Sequence, residues 1–583
     1  MEILDWIVML ATLLGIVAYG VWKTRNVNSV QSYLLGDRDL PWWTIGLSIM
    51  ATQASAITFL STPGQAYDDG MRFAQFYFGL PVAMVILAVF VLPIYYKLKV
   101  YTAYEYLEGR FDLRTRTLTA FLFLVQRGLA AGITIYAPAI ILSTILGWGL
   151  NVTILFIGLI VIFYTVMGGT KAVSVTQKQQ MIVILTGMFV AAIILVFQLP
   201  KDISFGDAVG IAGKMQKLNV VDFEFDFSSR YNFWSGMIGG VFLFLSYFGT
   251  DQSQVQRYLS GKSLTESRLG LLFNGILKVP MQFLVLFVGI LVFVFFQFTQ
   301  PPIHFNRANL ESLRNSSYAE QLTDLEEEQT LIFQEQQTVL RDLVTAINTD
   351  EESLVAANKA KVSDLQERDS LIRAEVKTLI EANDPDAEIA DTDYVFITFV
   401  MNYLPIGLVG LLLAVIFSAA MSSTASELNA LATTTVIDIY KRSFVKDKSD
   451  QHYLQASKVM TILWGIIALV FAASASLFDN LIEAVNIIGS LFYGVILGIF
   501  LTAFFMKWIE GKAIFVAALI SEVIILAIFY LTYEEVQFEL FGEVRQIKIA
   551  YLWLNLIGCV LTMLLASFVH LFLKGDGKKL LDQ

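Results

Sequence analysis

The sequence holds one cysteine, Cys559, and three histidines, His304, His452 and His570, among 583 residues. A single cysteine excludes an intramolecular disulfide framework and any Cys-based zinc or iron–sulfur site. No histidine stands near a second His or a Cys at ligand spacing, and no apolar run pairs a nucleophile with a His. Metalloenzyme and Ser-His-Asp chemistry therefore lack their parts, and the nucleotide loop GxxxxGK[ST] is missing as well. Charge is also scarce. Only 16% of residues are Asp, Glu, Lys or Arg, against about a quarter in soluble domains, which excludes an ordinary water-soluble protein.

Apolar residues are abundant, at 56%. A bilayer core about 30 Å thick needs roughly 20 of them per helix. Thirteen such runs are read, at 4–22, 41–66, 73–98, 117–147, 151–167, 178–198, 232–250, 268–298, 406–435, 453–474, 481–507, 512–532 and 550–573. The first begins MEILDWIVML without a basic n-region or a small-residue cleavage site, so it reads as a retained helix. With the N-terminus outside, the inner segments collect Lys23, Arg25, Arg38, Lys97, Lys99, Arg110, Arg114, Arg116, Lys171, Lys178, Arg257, Lys262 and Arg268. They also hold the 441–448 cluster, Lys507, Lys512, Lys574, Lys578 and Lys579, whereas the short outer loops hold only Arg72, Arg545 and Lys548. That asymmetry predicts a multi-pass membrane protein with its N-terminus outside and its C-terminus cytoplasmic.

The acidity belongs to one segment. Residues 299–395 hold 21 acidic and 8 basic residues in a chain of net charge −11, so the remainder is slightly basic. Two heptad-like sets lie within it: Leu322, Leu325, Gln329, Ile332, Gln336, Val339 and Leu343, then Val362, Leu365, Asp369, Ile372, Val376 and Leu379. Spacings of three and four put each set on one helical face. Asn348, Thr349 and Asp350 supply a turn and Pro385 a stop, which predicts an antiparallel helical hairpin standing off the outer surface. It reads either as a solvated spacer or as a docking site for an outer protein partner.

Polar groups enter the membrane at two places. In the second run Ala51-Thr52-Gln53-Ala54-Ser55-Ala56 is small and polar, and Pro63-Gly64 weaken the helix further on. Small residues of this kind serve either close helix packing or an unwound, ion-coordinating backbone. In the ninth run Ala419, Ser422 and Ser426 share one face and Ser423 flanks them. Their hydroxyls suit back-bonding to the i−4 carbonyl; equally, two hydroxyls with three carbonyls would satisfy a sodium ion, a hard cation that takes oxygen ligands.

On SYLLGDRDLPWW, TAYEYLEGRF at 102–111, YTVMGGTKAV at 164–173, GTDQSQVQRYLSGKS at 249–263 and SSTASELNALATTTVIDIY at 422–440, the sequence resembles the sodium/solute symporter family. YLEGRF and YAPAI look most like its iodide, vitamin and monocarboxylate branch. The resemblance implies an all-α membrane fold of about 13 helices with a LeuT-type five-plus-five inverted repeat. Its parts would be 1–40, an N-terminal helix and inner loop; 41–198, the first repeat; 199–231, an outer loop; 232–298 with 396–507, the second repeat; 299–395, the hairpin insertion; and 508–583, two closing helices and a tail. By motif, sodium would meet the carbonyls of Ala51, Ala54 and Ala419 and the hydroxyls of Ser422 and Ser423. Tyr247 would be the inner-gate aromatic. Ser55, Thr58, Phe76, Tyr77 and Phe244 would face the solute.

The sequence departs from the family where members with a second sodium place an aspartate. The run here is Val175-Thr176-Gln177-Lys178, so one sodium is expected. Lys178 reads either as an inner anchor or as an ion-pair partner of Glu427 that replaces the missing sodium. Arg127 lies about 15 Å into its span, where a charge costs about 2.5–3.5 kcal/mol. It reads as a structural salt bridge or as a guanidinium fork for a ligand carboxylate. Where sugar carriers present amides or carboxylates, this chain has Thr58, Tyr77 and Phe244. The expected function is sodium-driven import of a small organic anion such as a monocarboxylate or sialic acid, with a neutral sugar or polyol symporter and a non-transporting sensor as alternatives. No enzyme activity and no nucleic-acid partner are expected.

Overall fold

The computed structural model describes residues 1–24, 38–385, 387–473, 480–534, 536–540 and 543–572. Arg25, Lys574, Lys578 and Lys579 of the inner-charge set, and the SYLLGD part of the first motif, lie outside them. The fold is almost wholly helical because a backbone in lipid must satisfy its own hydrogen bonds.

In chain order the principal helices are α1 (Ile3–Thr24), α2 (Trp42–Gln53), α3 (Ala56–Asp69), α4 (Leu113–Leu146), α5 (Leu150–Phe197), α6 (Phe205–Lys214), α7 (Gly240–Gly249), α8 (Gln252–Leu259), α9 (Leu264–Phe298), α10 (Ala319–Asn348), α11 (Glu352–Asn383), α12 (Leu408–Thr434), α13 (Asp450–Ala472), α14 (Leu481–Phe505), α15 (Gly511–Tyr533) and α16 (Tyr551–Phe572). Among the described residues nine helical stretches are long and apolar enough to cross a membrane, and three shorter apolar helices accompany them. Two expected runs, 151–167 and 178–198, join in α5, which is helical throughout. No proline interrupts that stretch, and the Gly168-Gly169 pair does not break its ladder of hydrogen bonds. Strands occur as well: Gln537–Leu540 pairs antiparallel with Glu543–Gln546 in the loop before α16.

Caps fix the helix starts. Asp112 accepts from the Thr115 amide ahead of α4, Ser263 from Glu266 ahead of α9, and Asn480 from Ile482 and Glu483 ahead of α14, each worth about 1 kcal/mol. The centre is built from α2, α3, α5, α9 and α12, with α12 packed on α5 and α4, and α9 packed on α2 and α3. Gly289 permits the second contact, because a Cβ there would lie 2.3 Å from the Pro63 carbonyl. Pro63 itself leaves α3 intact as far as Asp69.

The hairpin forms as its heptads require, but it does not stand off. Leu322, Leu325, Ile332, Leu365, Ile372 and Val376 make the buried seam, and two of the three polar heptad positions meet across it, Gln329 Nε2 donating to Asp369 Oδ1 at 3.0 Å. Leu340, Leu343 and Val344 instead join the main core. Arg341 pairs with Asp202 at 2.9 Å and Asn348 donates to Asp207 at 2.9 Å, so α10 lies down against α6 and α9. The apolar face of α10 is wider than one seam, and its second half has another surface to cover.

Candidate functional site

Helical geometry lapses between α2 and α3. Ala54 sits at φ −87°, ψ 80° and Ser55 at φ −77°, ψ 176°, so the break falls inside the small polar stretch. Ala51 and Ala54 are buried beside it. Thr52 Oγ1 lies 3.4 Å from Ser426 Oγ, which brings the break up to the serine face of α12. The three serines differ. Ser423 Oγ donates to the Ala419 carbonyl at 2.9 Å and Ser426 Oγ to the Ser422 carbonyl at 2.9 Å, as back-bonding requires. Ser422 Oγ is buried with no partner. A buried, unpartnered hydroxyl on the helix that meets the break suits a sodium ion, a hard cation that takes oxygen ligands.

Gln177 closes the neighbouring position with an amide. Ser48 Oγ donates to its Oε1 at 2.5 Å, while its Nε2 donates to Thr52 Oγ1 and Ser426 Oγ, each at 3.0 Å. The group ties α2, α5 and α12 together without a charge. Lys178, one residue on, points about 100° away round the helix. Its ammonium lies 4.7 Å over the Trp43 ring.

Of the two readings of Lys178, the ion pair with Glu427 is therefore not formed. Glu427 meets Arg127 instead, at 3.1 Å, and also accepts from Thr134 Oγ1 at 2.8 Å. Arg127 pairs with Asp251 as well and donates to the Tyr493 hydroxyl at 2.5 Å, and its guanidinium lies 5.3 Å from the Tyr247 ring centre. Of the two readings of Arg127, the structural salt bridge is the one formed. Arg127 Nε is buried without a partner, so a ligand carboxylate that took two nitrogens of the fork would have to displace Glu427 or Asp251 from one of them. Asp251 is itself fixed at the start of α8, where Oδ1 accepts from the Ser253 amide at 2.9 Å and hydroxyl at 2.6 Å.

These groups border one central cavity of about 80 Å³. Ser55, Thr58, Phe76, Tyr77, Arg127, Phe244, Tyr247 and Glu427 all line it, eight positions singled out from the sequence on five separate runs of chain. Phe244 stacks on Tyr77 at 5.9 Å and meets Phe76 edge-on at 5.2 Å, which gives the cavity an aromatic wall. Ser55, the N-cap of α3, makes no side-chain capping bond, so the first turn of α3 faces the cavity with its hydroxyl uncommitted. Ala51, Ala54, Ala419, Ser422, Ser423 and Lys178 do not line it.

Sequence reasoning missed Asp251, Tyr493 and Lys278. The first was legible in principle, since an intramembrane arginine demands acids and GTDQSQ was already in view. Lys278 is fully buried, its ammonium has no partner, and it lies 5.5 Å over the Tyr77 ring. It sits in an apolar run, where only the packing shows which face is inward.

The sodium:solute symporter family model matches residues 33–309 and 382–521. The chain belongs to that family, and sodium is accordingly its coupling ion. The unmatched stretch between the two blocks is most of the hairpin. Over 302 residues the chain is 32% identical to the human sodium/iodide cotransporter, a match that covers 51% of this chain and 46% of that protein. It is 26% identical over 499 residues to the mouse sodium-coupled monocarboxylate transporter 2, covering 85% and 67%. With the sodium/glucose cotransporter of Vibrio parahaemolyticus the identity is 24% over 537 residues, covering 89% and 83%. The chain thus spans about half the length of the iodide cotransporter. Among solved structures, a sodium-coupled sialic acid symporter in a substrate-bound outward-open state superposes with a TM-score of 0.73 at 21% identity over 98% of both chains, and the fold is of that LeuT type.

Proposed function

We propose that the protein is a plasma-membrane symporter that uses the inward sodium gradient to import a small organic anion, a monocarboxylate foremost. The observation that carries this reading is the start of α3 at the central cavity, where Ser55 has no capping bond and Thr58 follows. A half-helix N-terminus carries partial positive charge and free amides, the recognition device for an anionic group inside a membrane protein. Phe76, Tyr77 and Phe244 would cover the solute's apolar body. Arg127 acts through position, holding α4, α8, α12 and α14 together by way of Asp251, Glu427 and Tyr493. Sodium at Ala51, Ala54, Ala419, Ser422 and Ser423 would join the broken helix to α12 and favour the outward-open form. Solute binding would then permit the repeats, 41–198 and 232–298 with 396–507, to rock past Tyr247 as the inner gate. The coupling needs only that both ligands prefer the same state. No covalent step enters, and the N-terminus is outside and the C-terminus cytoplasmic.

A neutral sugar or polyol is the second reading, favoured by the Gln53 amide, which lines the cavity with its Oε1 unpartnered. Competition of uptake in proteoliposomes by carboxylates and by their uncharged amides decides between the two. The anion reading expects only the acids to compete and Ser55→Ala to weaken them; equal competition by the amides overturns it.

A further inference from the structure

The hairpin and the membrane domain together enclose a cleft of about 300 Å³, a size that suits a small ligand. Tyr67, Lys217 and Phe293 face it from the membrane side; Phe333, Ser370 and Arg373 face it from the hairpin. The cleft has an aromatic floor, Tyr67 meeting Phe293 edge-on at 5.7 Å and Phe296 at 6.2 Å, with Phe305 behind it, 5.8 Å from Tyr67. Two cations lining the cleft are held over these rings. The Lys217 ammonium lies 4.7 Å over Phe293, and the Arg373 guanidinium 5.5 Å over Phe305.

The carboxylates of the cleft are already engaged. Asp369 accepts from Arg373 Nε at 2.7 Å and from Gln329 at 3.0 Å, and Asp68 accepts from Thr392 at 2.9 Å. The cations keep donors in reserve. Arg373 donates Nη1 to the Ile303 carbonyl at 3.1 Å, leaving Nη2 buried with no partner. Lys217 bonds the carbonyls of Tyr67 and Asp68, two uses for three protons. An acceptor of negative charge carried on an apolar body is the complement of this arrangement.

We infer that the cleft is an outer binding site for small organic carboxylates, built by the insertion and separate from the central cavity. The inference rests on the anionic-solute reading above only for its natural ligand, which would be the transported solute held at a second place. Tyr67 and Asp68 belong to the last turns of α3, whose first turn faces the central cavity. Occupancy of the cleft is thereby transmitted to the outer half of the broken helix. Residues 310–381 fall outside the family match, so the site is a property of this insertion.

The test is photolabelling of the full-length protein in lipid nanodiscs with para-azidobenzoate, mapped by peptide mass spectrometry. Label is expected on peptides spanning 329–336 and 366–373, competed by benzoate and not by benzamide. Arg373→Gln should reduce it about tenfold or more, with Arg373→Lys retaining most of it. Phe333→Trp fills the cleft without touching a charge and should also exclude the label, while melting temperatures verify that each variant is folded. Label confined to peptides around Ser55, Thr58 and Phe244, equal labelling by para-azidobenzamide, or indifference to both Arg373→Gln and Phe333→Trp in folded protein overturns the inference. Carboxylate-selective hairpin labelling alongside uptake that amides inhibit equally well would sink the anionic-solute reading alone.

Discussion

Ser422 and Ser423 illustrate what one residue type can mean at two adjacent positions. Ser423 satisfies its hydroxyl on the preceding turn, whereas Ser422 is buried with nothing to bond. Replacing both by Ala removes one satisfied and one unsatisfied hydroxyl, so the loss of stability should stay near 1 kcal/mol. The sodium concentration for half-maximal uptake should rise about tenfold or more, and unaltered sodium activation would refute the assignment. Arg127 makes the opposite case. Removing it leaves Glu427 and Asp251 buried without their cation, and breaking a buried pair costs about 3–5 kcal/mol. Arg127→Met should therefore lower the melting temperature far more than Glu427→Gln, after which Arg127 still holds Asp251. Equal effects would show that the two carboxylates do not share the guanidinium. Residue types alone announced that Arg127 and Glu427 needed partners. Which partners they took was decided by the rotation of α5, which sends Gln177 inward and Lys178 to Trp43.

At the scale of elements, the short turn Thr392–Tyr394 fastens the hairpin to α3 and to the start of α14. A Cβ on Gly64 would sit 2.1 Å from the Thr392 carbonyl, so glycine is what lets the turn lie on α3. Asp393 reaches the start of α14 and accepts from the Leu481 amide at 3.2 Å. Burial raises its carboxyl from 3.8 to about 6, and burial likewise raises Glu388, which accepts from Tyr394, from 4.5 to about 7. A folded value above the unfolded one means that the stabilisation is complete below pH 3.8 and is lost as pH rises through about 6. For Asp393 the loss amounts to about 3 kcal/mol. Asp393→Asn keeps an acceptor for the cap without burying a charge, so it should flatten the lower part of the melting temperature's fall with pH and leave the part due to Glu388. An unchanged profile would contradict the role of Asp393.

The hairpin, its turn and the break in the second run were legible because periodicity and small polar residues act locally. Two features were not: the helix running through 168–169 and the hairpin's contact with α6. In each, no local signal opposes continuity or contact, and the outcome depends on surfaces distant in sequence.

For the whole molecule, the motifs announced the family before any contact was known, because they lie on the helices that meet at the centre. The solute was less legible, since a cavity joins side chains from several helices and its charge balance depends on pairings such as Arg127 with Asp251. Gln177 supplies an amide where a carboxylate would be needed for a second ion, so a Hill coefficient for sodium near one is expected. A value near two, with matching charge movement, would show that another group provides the second site. The most direct measurement is uptake of radiolabelled monocarboxylates into proteoliposomes with an imposed inward sodium gradient. The account predicts accumulation above equilibrium that vanishes when the gradient is collapsed and that the Ser422→Ala/Ser423→Ala variant recovers only at about tenfold higher sodium or more. Binding without accumulation, or uptake indifferent to sodium, would contradict it.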